Sequence, residues 1–512
     1  MIELTSTTTD EDPPSESPTK RRRFAAPLTH FAFVALMVVV AFIRWRLLPS
    51  SQYPTGFDGG NWLAYGHSLF GESVRSSSLV YPPVVPVLAV TAEKLFGTYR
   101  GLQVLEFLAS NVPAIGTYIL LYAWGLGWRA VVLSGFLATS AATGNAMAWG
   151  GYPQLIGLGL LPLLVLAEDR FLASRRLVGV IPVALLVLAA LSTSDLVGPF
   201  TVLVGASYGL IRFSFHRISR TGNSLRNVAV GVILSVFALI PISPVYLALV
   251  PGIAAAQQTK PDDPNWLTHA VSSFNTVSVD LPTFWQLGFL FALLAPLAFF
   301  SRSRRLAALT TALLAPSVGL FLWSRELRVA YLVPIGIVVG LATWWNLAGR
   351  RSSWQRTLDA GIVAFLAVDL FVGTLAFASQ SAYYAVLTPG LVQGFAQLEA
   401  RSNPSETIAV SPTLHGVELG WWVEGVLNRR ALYAGNPIWL TYADELTRNA
   451  VANRIFEVSV ADSIRIARGS GAAFLFVDKK WPGYPAWEAG RTATNVVGIV
   501  FENESVLIIA TS

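Results

Sequence analysis

The feature that most constrains this chain is the recurrence of apolar stretches long enough to cross a bilayer. They fall at 24–48, 101–124, 129–147, 154–172, 177–193, 197–213, 227–249, 284–300, 306–323, 329–347 and 358–378, about eleven spans of the length a hydrocarbon core requires. With 53% hydrophobic and only 13% charged residues, no water-soluble interior could bury that much apolar surface. Lipid must cover the rest, so the expected fold is an α-helical polytopic membrane protein. Residues 1–23 are polar, acidic and proline-containing and predict a disordered cytoplasmic tail. Arg21, Arg22 and Arg23 precede a first apolar run that is too long for a signal peptide and lacks a small-residue cleavage site, so it is retained as a span.

The net charge of +6 does not indicate nucleic acid, because the basic residues fall in short groups between spans, as the positive-inside rule predicts. The same rule decides the status of 81–97, a short stretch with three prolines. If it crossed, the Arg175/Arg176, 212–226, Arg302/Arg304/Arg305 and Arg350/Arg351/Arg356 groups would all lie outside. As a juxtamembrane helix in the first external loop, it leaves every one of them cytoplasmic. Residues 49–100, WGGYPQ, TSD, the loop 250–283 and SRELR then face outward, in a multi-pass protein of the plasma membrane with a cytoplasmic N-terminus. The span region is expected over 24–378. From 379 to 512 the pattern changes to short β-rich runs (TIAVS, AAFLFVD, NVVGIVF, SVLIIAT) and a helical pattern at 440–456, predicting an extracytoplasmic α/β domain. The absence of cysteine excludes disulfides and thiol nucleophiles.

The candidate chemistry lies in the outward segments. Asp58, in GFDGGNW, follows the first span and is flanked by glycines that permit close backbone approach. Its carboxylate could serve as a general base, or could simply cap the helix that follows. His67, with Glu72 beyond it, offers an imidazole and a carboxylate for a divalent cation such as magnesium or manganese, or an ordinary polar contact at the interface. Tyr81 opens the juxtamembrane helix, and Glu93 and Lys94 could pair at its end. Trp149, Tyr152 and Gln154 could stack on and hydrogen-bond a sugar, or belong to an aromatic belt. Asp195 either caps the next helix, the slightly favoured reading, or faces a cavity. Arg325 and Arg328, with Glu326 between them, suit the oxygens of a phosphate, or could snorkel toward lipid head groups with an Arg–Glu pair. Trp421, Trp422 and Glu424 could contact an acceptor glycan, or form an ordinary core.

With Asp58 in GFDGGNW, a following YPP helix that ends in LFG, and many spans before an external domain, the chain resembles the GT-C superfamily of membrane glycosyltransferases. That superfamily includes polyprenyl-phosphate-mannose-dependent and aminoarabinose transferases. The resemblance implies inverting transfer from a polyprenyl-phosphate sugar to an external glycan, lipid or protein, with Asp58 as base. Many such enzymes carry a paired acidic motif in this loop, whereas here the neighbours of Asp58 are glycines. A transporter or flippase for a lipid-linked substrate would also need many spans and polar loops, but the chain shows no internal repeat and its charges concentrate at the interfaces. A non-catalytic assembly protein would bring no acidic and phosphate-binding groups together.

Overall fold

The computed structural model describes residues 20–50, 52–72, 81–174, 176–215, 229–258 except 231, 234, 235 and 238, 303–324, 333–347, 353–414, 419–435, 440, 443–494 and 498–511. The helical part begins with α1 (Lys20–Leu47), α2 (Gly59–Leu69), α3 (Val84–Phe96), α4 (Thr98–Ala123), α5 (Trp128–Thr139), α6 (Ala141–Trp149) and α7 (Tyr152–Ser174). It continues with α8 (Val180–Leu191), α9 (Val197–Phe215), α10 (Ser243–Gln258), α11 (Arg304–Ser324), α12 (Val333–Leu347) and α13 (Ser353–Tyr383). Helix α4 packs on α3, α5 and α7, and α9 packs on α7 and α11, around an apolar core that also takes in α1 and α12.

Among the described residues, three helices are long and apolar enough to cross a membrane: Pro27–Leu47, Thr98–Ala123 and Asp359–Tyr383. The pair α5–α6, bent by 44°, makes a fourth if read as one span. The expected 129–147 span is thus broken. The break is at Ser140, whose hydroxyl accepts the Thr143 amide and caps α6. Helices α8, α10 and α12 are shorter than the roughly 20 residues of a perpendicular crossing, so helix length among the described residues does not reach eleven spans. The 284–300 stretch lies outside the described residues. A span at 227–249 with a loop from 250 is also revised, because a 3-10 turn interrupts the chain at Ile240–Ile242 and α10 runs on to Gln258. The juxtamembrane element is α3; its helix starts at Val84 rather than Tyr81, and Gly97, at φ +83°, closes it.

After α13 come α14 (Pro389–Arg401), β1 (Thr407–Val410), α15 (Gly420–Leu427), β2 (Arg430–Tyr433), α16 (Ala443–Phe456), α17 (Val460–Gly469), β3 (Ala472–Asp478), α18 (Tyr484–Thr494), β4 (Ile499–Glu502) and β5 (Val506–Ala510). The sheet order is β2-β1-β3-β5-β4, with β2, β1 and β3 parallel and β5 antiparallel to both β3 and β4. Alternate residues of a strand face opposite sides. Ile408, Val410, Val506 and Ile508 face one core, and Ala409, Leu507 and Ile509 face the other, where α16, α17 and α18 pack.

The first of these cores does not stop at the domain. It runs without interruption into Trp62, Tyr65, Tyr81, Val85 and Tyr152 of the helical part. The sheet is therefore seated on the α2–α3 end of the bundle. The closest seam is between α2 and α15. A Cβ on Gly60 would lie 2.6 Å from the Trp421 carbonyl oxygen, and one on Gly425 would lie 2.0 Å from the Gly60 carbonyl oxygen.

Candidate functional site

Asp58 stands at the N-cap position of α2 but makes no side-chain capping hydrogen bond. Capping therefore does not account for its carboxylate. The loop that carries it is fastened on several sides. The Phe57 and Asp58 amides both point to the Trp149 carbonyl, at 3.1 and 3.4 Å, and the Gly56 amide donates to the Tyr384 carbonyl at 3.1 Å. Trp62, one turn into α2, donates its indole N–H to the Gly150 carbonyl at 2.8 Å.

The WGG turn is thus the floor on which Asp58 rests. Gly150 ends α6 at φ +94°, in the left-handed region that favours glycine, and a Cβ there would come within 3.2 Å of Asp58 Cβ. Gly56, at φ +97°, lies against the same turn, with Gly150 N 2.7 Å from where its Cβ would be. The glycines after Asp58 have a different use, since Gly59 admits the Trp422 ring and Gly60 admits the backbone of α15. They serve helix packing rather than substrate approach.

The structure joins Asp58, Trp149 and Tyr152 in one site, with Gln154 on the same first turn of α7. Tyr152 is fully buried, its hydroxyl lies within electrostatic reach of Asp58 and Glu106, and neither that hydroxyl nor Gln154 Oε1 has a hydrogen-bond partner among the described residues. Trp421 and Trp422 are buried in the shared core, and their indole N–H groups are likewise unpartnered. Glu424 is not an acceptor contact: it is buried and paired with Arg448 beneath the sheet edge.

Tyr81 and Asp195 belong to a neighbouring cluster. The Tyr81 hydroxyl donates to Asp195 Oδ1 at 3.4 Å, and its ring stacks on Tyr65 and tilts against Trp62. The Val84 amide, donating to the Ser192 carbonyl at 2.8 Å, ties α3 to the same break. Just before α9, the Ser194 hydroxyl accepts the Val197 amide at 3.1 Å.

His67 lies at the far end of α2. Its Nε2 is 2.6 Å from Glu93 Oε2, and Thr98 donates to the other Glu93 oxygen at 2.8 Å. Glu72 pairs instead with Lys94 at 3.0 Å. The expected His67–Glu72 and Glu93–Lys94 groupings are therefore exchanged, because α3 packs along α2 and interleaves their partners. No group of three His, Cys, Asp or Glu side chains suited to a metal ion occurs among the described residues. Arg325, Glu326 and Arg328 lie outside the described residues.

One group escaped the sequence reading. Glu106, in α4, has no exposed surface and accepts a hydrogen bond from Thr55, and the Arg44 guanidinium is the cation within its electrostatic reach. The available signal was an acidic residue inside an apolar span, which marks function by default.

No protein-family model and no curated protein matches the sequence. Solved structures do. ArnT from Cupriavidus metallidurans in the apo state superposes with a TM-score of 0.56 at 16% identity, covering 95% of this chain and 98% of ArnT. The same protein bound to undecaprenyl phosphate gives 0.53 at 15% identity, covering 94% and 97%. The arabinofuranosyltransferase AftD from Mycobacteria gives 0.57 at 15% identity, covering 97% of this chain but 40% of AftD. These are GT-C superfamily glycosyltransferases. The chain has the GT-C fold. The resemblance read from GFDGGNW and the YPP helix is thus met at the level of architecture. Within this GT-C fold, the Asp58 loop sits where the helical part and the α/β part share one core.

Proposed function

We propose that the protein is a membrane glycosyltransferase that moves a sugar from a polyprenyl-phosphate donor to an acceptor hydroxyl, with Asp58 as the general base. The observation that carries this reading is Asp58 itself. It is a carboxylate at a helix start that makes no capping bond, held against the WGG turn at the junction of a GT-C fold, and a neighbour of that fold is bound to undecaprenyl phosphate.

The chemistry is a single displacement. The acceptor oxygen attacks the anomeric carbon on the face opposite the phosphate and Asp58 takes the hydroxyl proton. The bond from the anomeric carbon to the phosphate oxygen breaks, and the lipid phosphate leaves with its electron pair. Configuration inverts because only one displacement occurs. In this reading Arg325 and Arg328 hold the departing phosphate, and Glu326, Trp149, Tyr152 and Gln154 contact the substrate. Asp58 and the α/β domain lie on the extracytoplasmic side, as the basic residues between spans favour. No step is routed through a metal. His67, paired with Glu93, acts in fastening α3 to α2. The acceptor is a glycan, a lipid or a protein.

The test uses the full chain in lipid nanodiscs, with a panel of radiolabelled undecaprenyl-phosphate monosaccharides and membrane-derived acceptors. Asp58→Asn should lower turnover by about 10²–10⁴-fold, the usual worth of a positioned base, with unfolding temperature unchanged. Wild-type turnover by that variant would refute the assignment. Turnover that survives exhaustive chelation would confine the chemistry to side chains.

A further inference from the structure

Gln103 and Glu106 are three residues apart on α4, so both leave the same face of the helix. Gln103 donates its amide to the Tyr53 carbonyl at 2.9 Å, and Glu106 accepts the hydroxyl of Thr55. The Asp58 loop is thereby pinned to α4 at two positions, to Tyr384 at Gly56 and to Trp149 at Phe57. A neutral amide suffices for such a hold, as Gln103 shows. The acid at position 106, at a site with no exposed surface, is therefore more than that hold requires.

Glu106 also leaves part of its bonding capacity unused. Its Oε2 has no hydrogen-bond partner among the described residues, and the same holds for Arg44 Nη1 and the Tyr152 hydroxyl. All three side chains are at least nine-tenths buried. Arg44 is itself held in place, donating to the Ala138 carbonyl and stacking on the Phe377 ring at 5.6 Å. Unsatisfied buried polar atoms of this kind require an explanation beyond packing.

We propose that Glu106 is a positioning residue for Asp58. It fixes the loop through Thr55, and its carboxyl lies, together with Asp58, within electrostatic reach of the Tyr152 hydroxyl. This supplies, from a separate helix, the second acidic group that the loop itself lacks. The proposal rests on Asp58 being the base.

The experiment compares Glu106→Gln, Thr55→Val and Thr55→Ser with the parent in nanodiscs. Glu106→Gln keeps the shape and an acceptor oxygen for Thr55 and removes the acid. It should lower kcat by about tenfold or more while KM for the undecaprenyl-phosphate sugar stays within about twofold, the signature of lost transition-state rather than ground-state interaction. Thr55→Val should raise amide hydrogen exchange at Gly56 and Phe57 by about tenfold, and Thr55→Ser should restore it. Parental kcat in Glu106→Gln overturns the proposal, and so does unchanged exchange in Thr55→Val. If Asp58→Asn retains turnover, the reading of Asp58 as base fails, and the exchange result alone then decides whether Glu106 and Thr55 hold the loop.

Discussion

Among the described residues of the helical part, the clusters around Asp169 and around Glu106 differ in how completely they are satisfied. At one end, Asp169 of α7 accepts from Tyr208 at 3.1 Å and from Arg212 Nη2 at 3.1 Å, and meets Arg305 of α11 at 2.9 Å. Both its oxygens are engaged, and three helices are tied together. At the other end, Glu106, Arg44 and Tyr152 each leave an atom unpartnered. A buried charge network whose members are all paired acts as scaffold, whereas unpaired buried polar atoms call for an explanation beyond packing. Next to Asp169, Glu168 also has an unpartnered oxygen, but its carboxylate is laid against Gly205 and Gly209 of α9.

Substitution should separate the two clusters. The largest effect is on chemistry: Asp58→Asn costs about 10²–10⁴ in turnover, and Glu106→Gln about tenfold, both with little change in unfolding temperature. Asp169→Asn should do the reverse. It leaves Arg212 and Arg305 without their anion, which costs about 3 kcal/mol of stability, while turnover per folded molecule stays at the parental level. Thermal unfolding and transfer assays on the same preparations read both quantities. Loss of turnover without loss of stability in Asp169→Asn would erase the distinction.

The two parts of the fold were unequally legible. Four of the five strands are visible as apolar runs: β1, β3 and β5 because they are largely buried, AAFLFVD most completely, and β4 as the apolar run of a partly exposed edge strand. Strand β2, which is missed, has no apolar run of its own: RALY opens with Arg430 right after Asn428 and Arg429. Asp58 stands out because it interrupts nothing apolar and has glycines beside it. Glu106 does not, since one acid within 101–124 leaves the hydropathy of a span intact, and its meaning depends on Thr55 and Arg44, distant in sequence. The exchange of partners among His67, Glu72, Glu93 and Lys94 depends on how α3 lies along α2, which no spacing encodes.

The α/β part offers a pH contrast. Burial pushes the Asp478 carboxyl up to about 6, opposed by the Lys480 amide and charge. Its folded state therefore binds a proton more tightly than the unfolded chain, and stability rises as pH falls from about 6 toward 4. Glu502 acts oppositely. Arg491 and Lys479 hold it below the usual carboxylate range, so its contribution is present above its ordinary pKa and is lost as pH falls below that. Asp478→Asn should raise stability above pH 6 by up to about 3 kcal/mol and remove the gain between 6 and 4, as read by unfolding at stepped pH. An unaltered pH profile would show that Asp478 is solvated.

The smallest effect tests whether the two parts act as one body. At Gly425 an added Cβ would meet the carbonyl oxygen of Gly60 at 2.0 Å and its carbonyl carbon at 2.8 Å. These are backbone atoms that no rotamer change can move aside, so Gly425→Ala must separate α15 from α2. Overpacking of this kind costs about 1–3 kcal/mol, and the displaced residue is two positions from Asp58. Gly469→Ala, with nothing within 4 Å of the added methyl, supplies the matched control. If the seam seats the Asp58 loop, Gly425→Ala lowers both stability and turnover per folded molecule, and Gly469→Ala lowers neither. If the two variants behave alike, α15 is not clamped to α2, and the α/β part does not help to position Asp58.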